Sequence, residues 1–256
     1  MIAKKVGFNM PNRLTPQQAA PLFAGWPETP IYSCLSGTMG QLIGTERAAA
    51  AVIGDFVFLA GQPDATLLNS IAAPQPLIVV PRTDAWTPVI EGTYGTCAKR
   101  FERYATVKIT AGFDPHRLQQ LANPPAGTQL VALDQHWFGV CQTLAWAEDF
   151  TRQFRSFDQF DRLACGVLAL HEGELVAGAS AYSAYPGGIE IEVDTREDYR
   201  RRGLATACSA QLILTCLTRG IYPSWDAHTK TSLALAQKLG YQLAYAYPAY
   251  MVAPGS

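Results

Sequence analysis

Residues 189–207 read IEIEVDTREDYRRRGLATA, and this run limits what the chain can fold into more than any other. Alternation comes first. Ile189, Ile191 and Val193 fall on one face and Glu190, Glu192 and Asp194 on the other, which is the period of a strand. Arg200, Arg201 and Arg202 follow, then Gly203, Leu204 and Ala205. Behind them an apolar segment over 204–217 has helical length and is closed by Gly220. The first N–H groups of a helix have no partner within it, and the helix dipole places positive potential there, so such an end binds anions. Gly203 and Ala205 keep side chains out of the way of a bulky anion, and the three arginines add charge-assisted contacts. A basic surface turn with no ligand fits the bare spacing equally well, because short glycine motifs recur by chance.

The sequence downstream separates the two. Residues 222–227 predict a short strand, and 231–239 a helix with Ser232 near its start and Gly240-Tyr241 at its end. An aromatic strand over 242–252 follows. The order strand, arginine-glycine turn, helix, strand, helix, glycine-aromatic pair, strand resembles the core of the GNAT superfamily of acetyl-CoA-dependent N-acyltransferases. The runs YRRRGLAT, PSWDA and SLALAQKLGY are similar to a two-part branch that includes zwittermicin-resistance-type acetyltransferases. These motifs cover residues 140–256, and the first half resembles the branch only diffusely.

The expected fold class is therefore α+β: a GNAT-type mixed, mostly antiparallel sheet flanked by helices, preceded by an N-terminal α/β half. The run ANPPAG at 122–127 reads as a connector. It divides the chain into an accessory, acceptor-side half, 1–123, and an acetyltransferase domain, 124–256. In the first half, 48–52, 56–59, 77–80 and 103–109 predict strands. Residues 64–71 and 84–94 predict helices, and Thr15-Pro16 is a helix start. In the second, 129–133 predicts a strand, 156–163 a helix, and 166–171 with 174–183 a hairpin.

The resemblance implies a site. The N–H groups of Arg201, Arg202, Gly203, Leu204, Ala205 and Thr206, with Arg200 beside them, would hold the diphosphate of acetyl-CoA. The pantetheine arm would pair with the backbone of Val193, Asp194 and Thr195, where an N–H also serves as oxyanion donor. Two extra residues lie between Val193 and the turn compared with the commonest family pattern. Glu190 and Glu192 stand where the family places a general base for the protonated amine. Glu192 is ahead because it adjoins the thioester segment, and Asp226 is in reserve. Alternating acids on a strand are equally often a solvated face. Many members carry an acidic tyrosine four residues before the glycine-aromatic pair; that position is Ala236 here. Tyr245 or Tyr247 could substitute, though each alone reads more simply as a core or edge aromatic. No asparagine precedes Ser232 in 228–231, and Ser232 either touches the pantetheine arm or caps its helix.

Composition bounds the rest. Twenty basic and twenty-one acidic side chains give a net charge of −1, with 48% apolar residues. That balance argues for a well-cored globular chain and against a nucleic-acid partner, including charged tRNA. The four histidines are scattered and the six cysteines form no metal-ligand spacing, so no metal is expected. The start MIAKKVGFNM has no apolar leader, and no apolar run is long enough to span a membrane. The expectation is a cytoplasmic N-acetyltransferase acting on the primary amine of a small molecule, by direct attack in a ternary complex with acetyl-CoA. A homodimer is left open. The alternative is a GNAT-fold regulatory module that binds an acyl-CoA without turnover.

Overall fold

The computed structural model describes residues 12–71, 76–109 and 112–253. The opening segment, examined above for a leader, lies outside the described residues. The chain divides into two compact units: residues up to 101 together with those from 248 onward, and residues 102–247.

In the first unit, β1 (Asn12–Arg13), α1 (Pro16–Phe23) and α2 (Thr29–Leu35) lead into β2 (Gln41–Gly44). β3 (Ala48–Ile53) and β4 (Phe56–Gly61) follow, and β1 to β4 pair antiparallel in chain order. α3 (Ala65–Asn69) then carries the chain to β5 (Leu77–Pro81), which lies parallel to β4. α4 (Thr87–Tyr94) comes next, and Tyr250–Val252 at the chain's far end pair antiparallel with β5. Local chemistry sets these boundaries. Thr15 and Gln18 form a reciprocal capping box with Pro16 in the first turn of α1, and Asp64 caps α3 through the Thr66 N–H. β3, β4 and β5 are almost continuously apolar because both of their faces are covered. Their side chains enclose a core with Leu67, Leu68, Trp86, Ile90 and Tyr250.

β6 (Ala98–Thr106) runs from the first unit into the second. There follow α5 (Pro115–Leu121), β7 (Thr128–Ala132), α6 (Gln135–Cys141) and α7 (Phe157–Leu163). Next come β8 (Val167–His171), β9 (Glu174–Tyr185), β10 (Gly188–Thr195), α8 (Leu204–Thr218) and β11 (Tyr222–Ser224). β12 (Asp226–Ala227), α9 (Lys230–Leu239) and β13 (Leu243–Val252) complete the chain. One sheet has the order β11-β10-β9-β8-β7. Its neighbours pair antiparallel except β10 and β11, which are parallel and joined by the α8 crossover. Leu118 of α5, Ala210 and Ile213 of α8, and Ala236 and Leu239 of α9 form a core with Tyr104, Trp225 and Tyr241, and Ile191 and Val193 pack against it.

The mixed α/β architecture, mostly antiparallel and flanked by helices, agrees with the expected class. Particular elements differ. The strand predicted over 222–227 is two strands: Tyr222–Ser224 pairs with β10, whereas Asp226 and Ala227 pair with Ala105 and Tyr104 of β6. The predicted helix 84–94 is a 3-10 turn, Asp84–Trp86, followed by α4, because Pro88 has no N–H to donate to the Asp84 carbonyl and so interrupts the α-helical bonding. The connector at 122–127 joins α5 to β7 inside the second unit.

Gly188 starts the parallel ladder. A methyl group there would overlap the Tyr185 phenol and come within 2.7 Å of the Tyr222 carbonyl oxygen. Gly188→Ala is expected to destabilise the protein by about 1–3 kcal/mol, the usual cost of overpacking. A lower urea midpoint with an unchanged slope would show it.

Candidate active site

β10 and β11 pair only from Gly188↔Tyr222 to Glu190↔Ser224. At the same residue the register against β9 shifts, leaving Tyr182 as the extra residue between the Glu190↔Ser183 and Ile191↔Ala181 pairs. A bulge bends and twists its strand. Beyond Glu190 the chain after β11 turns to β6 instead, so the β11-side edge of residues 191–195 faces a gap. The Arg196 N–H donates to Val176 of β9 at 2.9 Å. By alternation, the N–H groups of Val193 and Thr195 point away from β9 into that gap. There they donate to neighbouring carboxylates: Val193 to Glu192 at 3.1 Å and Thr195 to Asp194 at 2.6 Å.

The two glutamates differ in place. Glu190 is buried, 7% exposed, and its carboxylate accepts the Asp226 N–H at 2.7 Å, bridging the strands where they part. Glu192 is half-buried. The alternation of the sequence thus does not give a buried face and a wet one; Glu190 is enclosed while Ile191 and Val193 are only half-buried. Asp226 anchors a second cluster. Its carboxylate accepts from Arg103 Nε at 2.7 Å and from the Tyr247 hydroxyl at 2.8 Å. Arg103 also meets His228 Nδ1 at 3.0 Å. Burial pushes the Asp226 carboxyl above the usual carboxylate range, opposed by Arg103 and Tyr247. Burial disfavours the Arg103 cation as well, but Asp226 and Tyr247 beside it more than offset this and hold it charged.

The turn before α8 is tight. Arg201 and Gly203 both have left-handed backbone, with φ of 63° and 85°. Such a conformation costs a non-glycine residue about 1–3 kcal/mol and is concentrated at functional turns. No side chain caps α8, and a Cβ placed on Gly203 would meet nothing within 4 Å. The N–H groups of Leu204, Ala205 and Thr206 stand at the positive end of a 15-residue helix that has no side-chain cap. Arg201 is exposed beside them. The other arginines are partly engaged: Arg200 Nε donates to the Thr195 carbonyl at 3.2 Å, and Arg202 donates to the Asp198 carbonyl at 2.9 Å while lying over the Tyr199 ring. The donor set suits a diphosphate.

Ser232 is not the cap of α9; Thr229 is, and Ser232 accepts the Trp225 indole N–H at 3.2 Å. Ala236 is fully buried in the core, so the site carries no side chain there that could donate a proton. Two participants escaped the sequence reading. Lys238 of α9 reaches Thr206 Oγ1 at 3.5 Å, adding a cation at the first turn of α8. Arg103 on β6 lies 123 residues from Asp226, and no local pattern could pair them. Among the described residues, no group of three or more His, Cys, Asp or Glu side chains is placed to hold a metal ion. No helix among them is long and apolar enough to cross a membrane.

A model of the GNAT acetyltransferase family matches residues 20–250, and the chain belongs to that family, whose members are acyltransferases. A GCN5-related N-acetyltransferase-like protein from Streptococcus suis 89/1591 superposes with a TM-score of 0.89 at 46% identity, covering 93% of this chain and 98% of that one. The uncharacterized N-acetyltransferase YdfB from Bacillus subtilis (strain 168) is 24% identical over 217 residues, 81% of this chain and 79% of its own. A GCN5-related N-acetyltransferase from Sphaerobacter thermophilus shares the fold, with a TM-score of 0.59 at 14% identity over 96% of each chain.

The Arg103–Asp226 pair gives a stability test. Asp226→Ala leaves a buried guanidinium without its counter-ion and is expected to cost about 3–5 kcal/mol. Glu190→Ala removes one charged acceptor from the Asp226 N–H and should cost about 1–3 kcal/mol. Urea denaturation of both variants checks the ranking.

Proposed function

We propose that the chain transfers the acetyl group of acetyl-CoA to the primary amine of a small molecule by direct attack in a ternary complex. The observation that carries this reading is the uncapped, strained entry to α8 standing next to the diverging edge of β10. When bound, acetyl-CoA supplies the thioester that the amine attacks. The N–H groups at 201–206, with Arg201 and Lys238, hold its diphosphate. Arg200 adds a peripheral contact, and Arg202 stiffens the turn through Tyr199. Val193 and Thr195 offer backbone groups along the gap, whereas the Asp194 backbone faces β9, and Ser232 has a hydroxyl hydrogen left to donate beyond its bond from Trp225.

Seating a ligand on the Val193 N–H displaces the Glu192 carboxylate from it. Glu192 then serves as general base for the amine, directly or through water. Glu190 positions the site by tying β10 to Asp226. An ordinary thiol has a pKa of about 8.5, so the departing thiolate needs only modest help. The acceptor class is approached by an acetyl-CoA consumption screen over polyamines, aminoglycosides, amino acids and amino-polyols. The last of these is suggested by the likeness to the zwittermicin-resistance-type branch.

Acetyl-CoA at a hundredfold excess over its dissociation constant should stabilise the protein by about 2.7 kcal/mol. Absence of a thermal shift at millimolar acetyl-CoA and CoA would remove this reading. Gly203→Glu places a carboxylate in the diphosphate space and should abolish the shift while leaving the fold intact.

Glu192→Gln should lower turnover by about 10²–10⁴ with acetyl-CoA affinity nearly unchanged. The deficit should shrink at high pH, where more of the amine is already neutral. A flat comparison with the wild type across the neutral range would take Glu192 out of the mechanism.

A further inference from the structure

The second unit holds a pair of thiols that the acetyl-transfer reading does not use. Cys165 follows α7 at the entry to β8, and Cys216 sits on the last turn of α8. Their sulfur atoms are 3.7 Å apart. Both are enclosed, Cys216 completely and Cys165 at 7% exposure. Cys165 lines a cavity of about 340 Å³ together with Leu133, Phe160, Asp161, Gln211 and Arg219. That space is ample for hydrogen peroxide, since a water occupies about 30 Å³. We propose that Cys165 and Cys216 are a hydroperoxide-oxidisable dithiol, with Cys165 the thiol that meets the oxidant and Cys216 the one that resolves it into a disulfide.

The assignment of roles follows from the surroundings. Arg219 donates to the carbonyl of Ala164 and, at 2.7 Å, to that of Asp161. These are carbonyls at and just beyond the end of α7, so the guanidinium is pinned beside Cys165. The two sulfurs share a contact in which either thiol can donate. That contact, with Arg219, outweighs burial and draws the Cys165 thiol down, while the same contact and burial push Cys216 up. The other enclosed cysteines have no such help. Burial pushes Cys34, Cys141 and Cys208 up to about 12. Only the thiolate is a good nucleophile, so Cys165 reacts ahead of them.

The chemistry balances. The Cys165 thiolate attacks one oxygen of hydrogen peroxide, the O–O bond breaks, and hydroxide leaves. Cys165 is now a sulfenic acid, oxidised by two electrons. The Cys216 sulfur attacks the sulfenic sulfur, an S–S bond of about 2.05 Å forms, and the S–O bond breaks. The departing hydroxide takes the Cys216 proton and leaves as water. The product ties α8 to the segment between α7 and β8. A thiol reductant reverses it by exchange.

The inference is independent of the acceptor and of acetyl-CoA. The test treats the full-length chain with hydrogen peroxide at a dose that leaves Cys34, Cys141 and Cys208 unmodified, then maps peptides without reduction. The expected result is a cross-linked peptide pair joining residues 165 and 216, lighter by two hydrogens and lost on adding dithiothreitol. In Cys216→Ser the sulfenic acid should persist at Cys165 and be trapped by dimedone. In Cys165→Ser the cross-link should vanish and Cys216 should stay unmodified. Oxidation of Cys97 or the other thiols with 165 and 216 still reduced would overturn the proposal, and that readout needs only the wild-type chain. Trapping at Cys216 in Cys165→Ser would overturn the order of roles.

Discussion

The parting of β10 from β11 at Glu190 is the constraint on which the second unit turns. A strand edge that leaves its partner inside a protein strands backbone N–H groups, and each buried one must find an acceptor. Glu190 meets the first such demand by accepting the Asp226 N–H across the opening. A carboxylate enclosed in that position needs the strands held in one arrangement, and Asp226 provides it from its other end. Its side chain pairs with Arg103 and Tyr247, fastening the β12 segment to β6. A gap that would otherwise close into a longer parallel ladder is thereby kept open. Along it, the N–H groups of Val193 and Thr195 rest on the Glu192 and Asp194 carboxylates.

The gap gains its use from what the α8 crossover brings beside it. A parallel pair needs a long crossover, and the helix that supplies it starts just past the open edge of β10. Strain at Arg201 and the freedom of Gly203 let the chain reverse tightly enough to start the helix with no side-chain cap. Electrostatics then add up from separate sources: the helix dipole, the exposed Arg201 and the ammonium of Lys238. Arg200 and Arg202 spend part of their hydrogen-bonding capacity on the turn itself. Three adjacent arginines thus divide between holding the loop and facing solvent, a division that their shared residue type conceals.

Much of the fold was legible because local chemistry decides local structure. Thr15-Pro16, Asp64 and Ser156 mark helix starts through side-chain caps, and the glycine turns before β10 and after α8 mark ends. The apolar runs of β3, β4 and β5 announce strands covered on both faces. The break inside 222–227 was not legible, since Trp225 separates two segments that differ only in which sheet they join. The family was readable in the arginine-glycine turn and the order of elements after it, because both are local patterns along the chain.

By itself the sequence determined where a helix N-terminus follows a glycine turn, since the two are contiguous in the chain. It determined that Glu190 and Glu192 stand on the strand leading there, two residues apart. Only the tertiary structure decided that these two acids have different surroundings. One is buried against the Asp226 N–H, and the other lies on its own neighbour's N–H at the gap. Only the tertiary structure brought Arg103 to Asp226, Lys238 to Thr206 and Cys165 to within 3.7 Å of Cys216. The physical reason is the same in each case. A hydrogen bond, an ion pair or a thiol contact acts over a few ångströms of space, whereas the pattern along a chain reports only the few residues that share a turn or a strand.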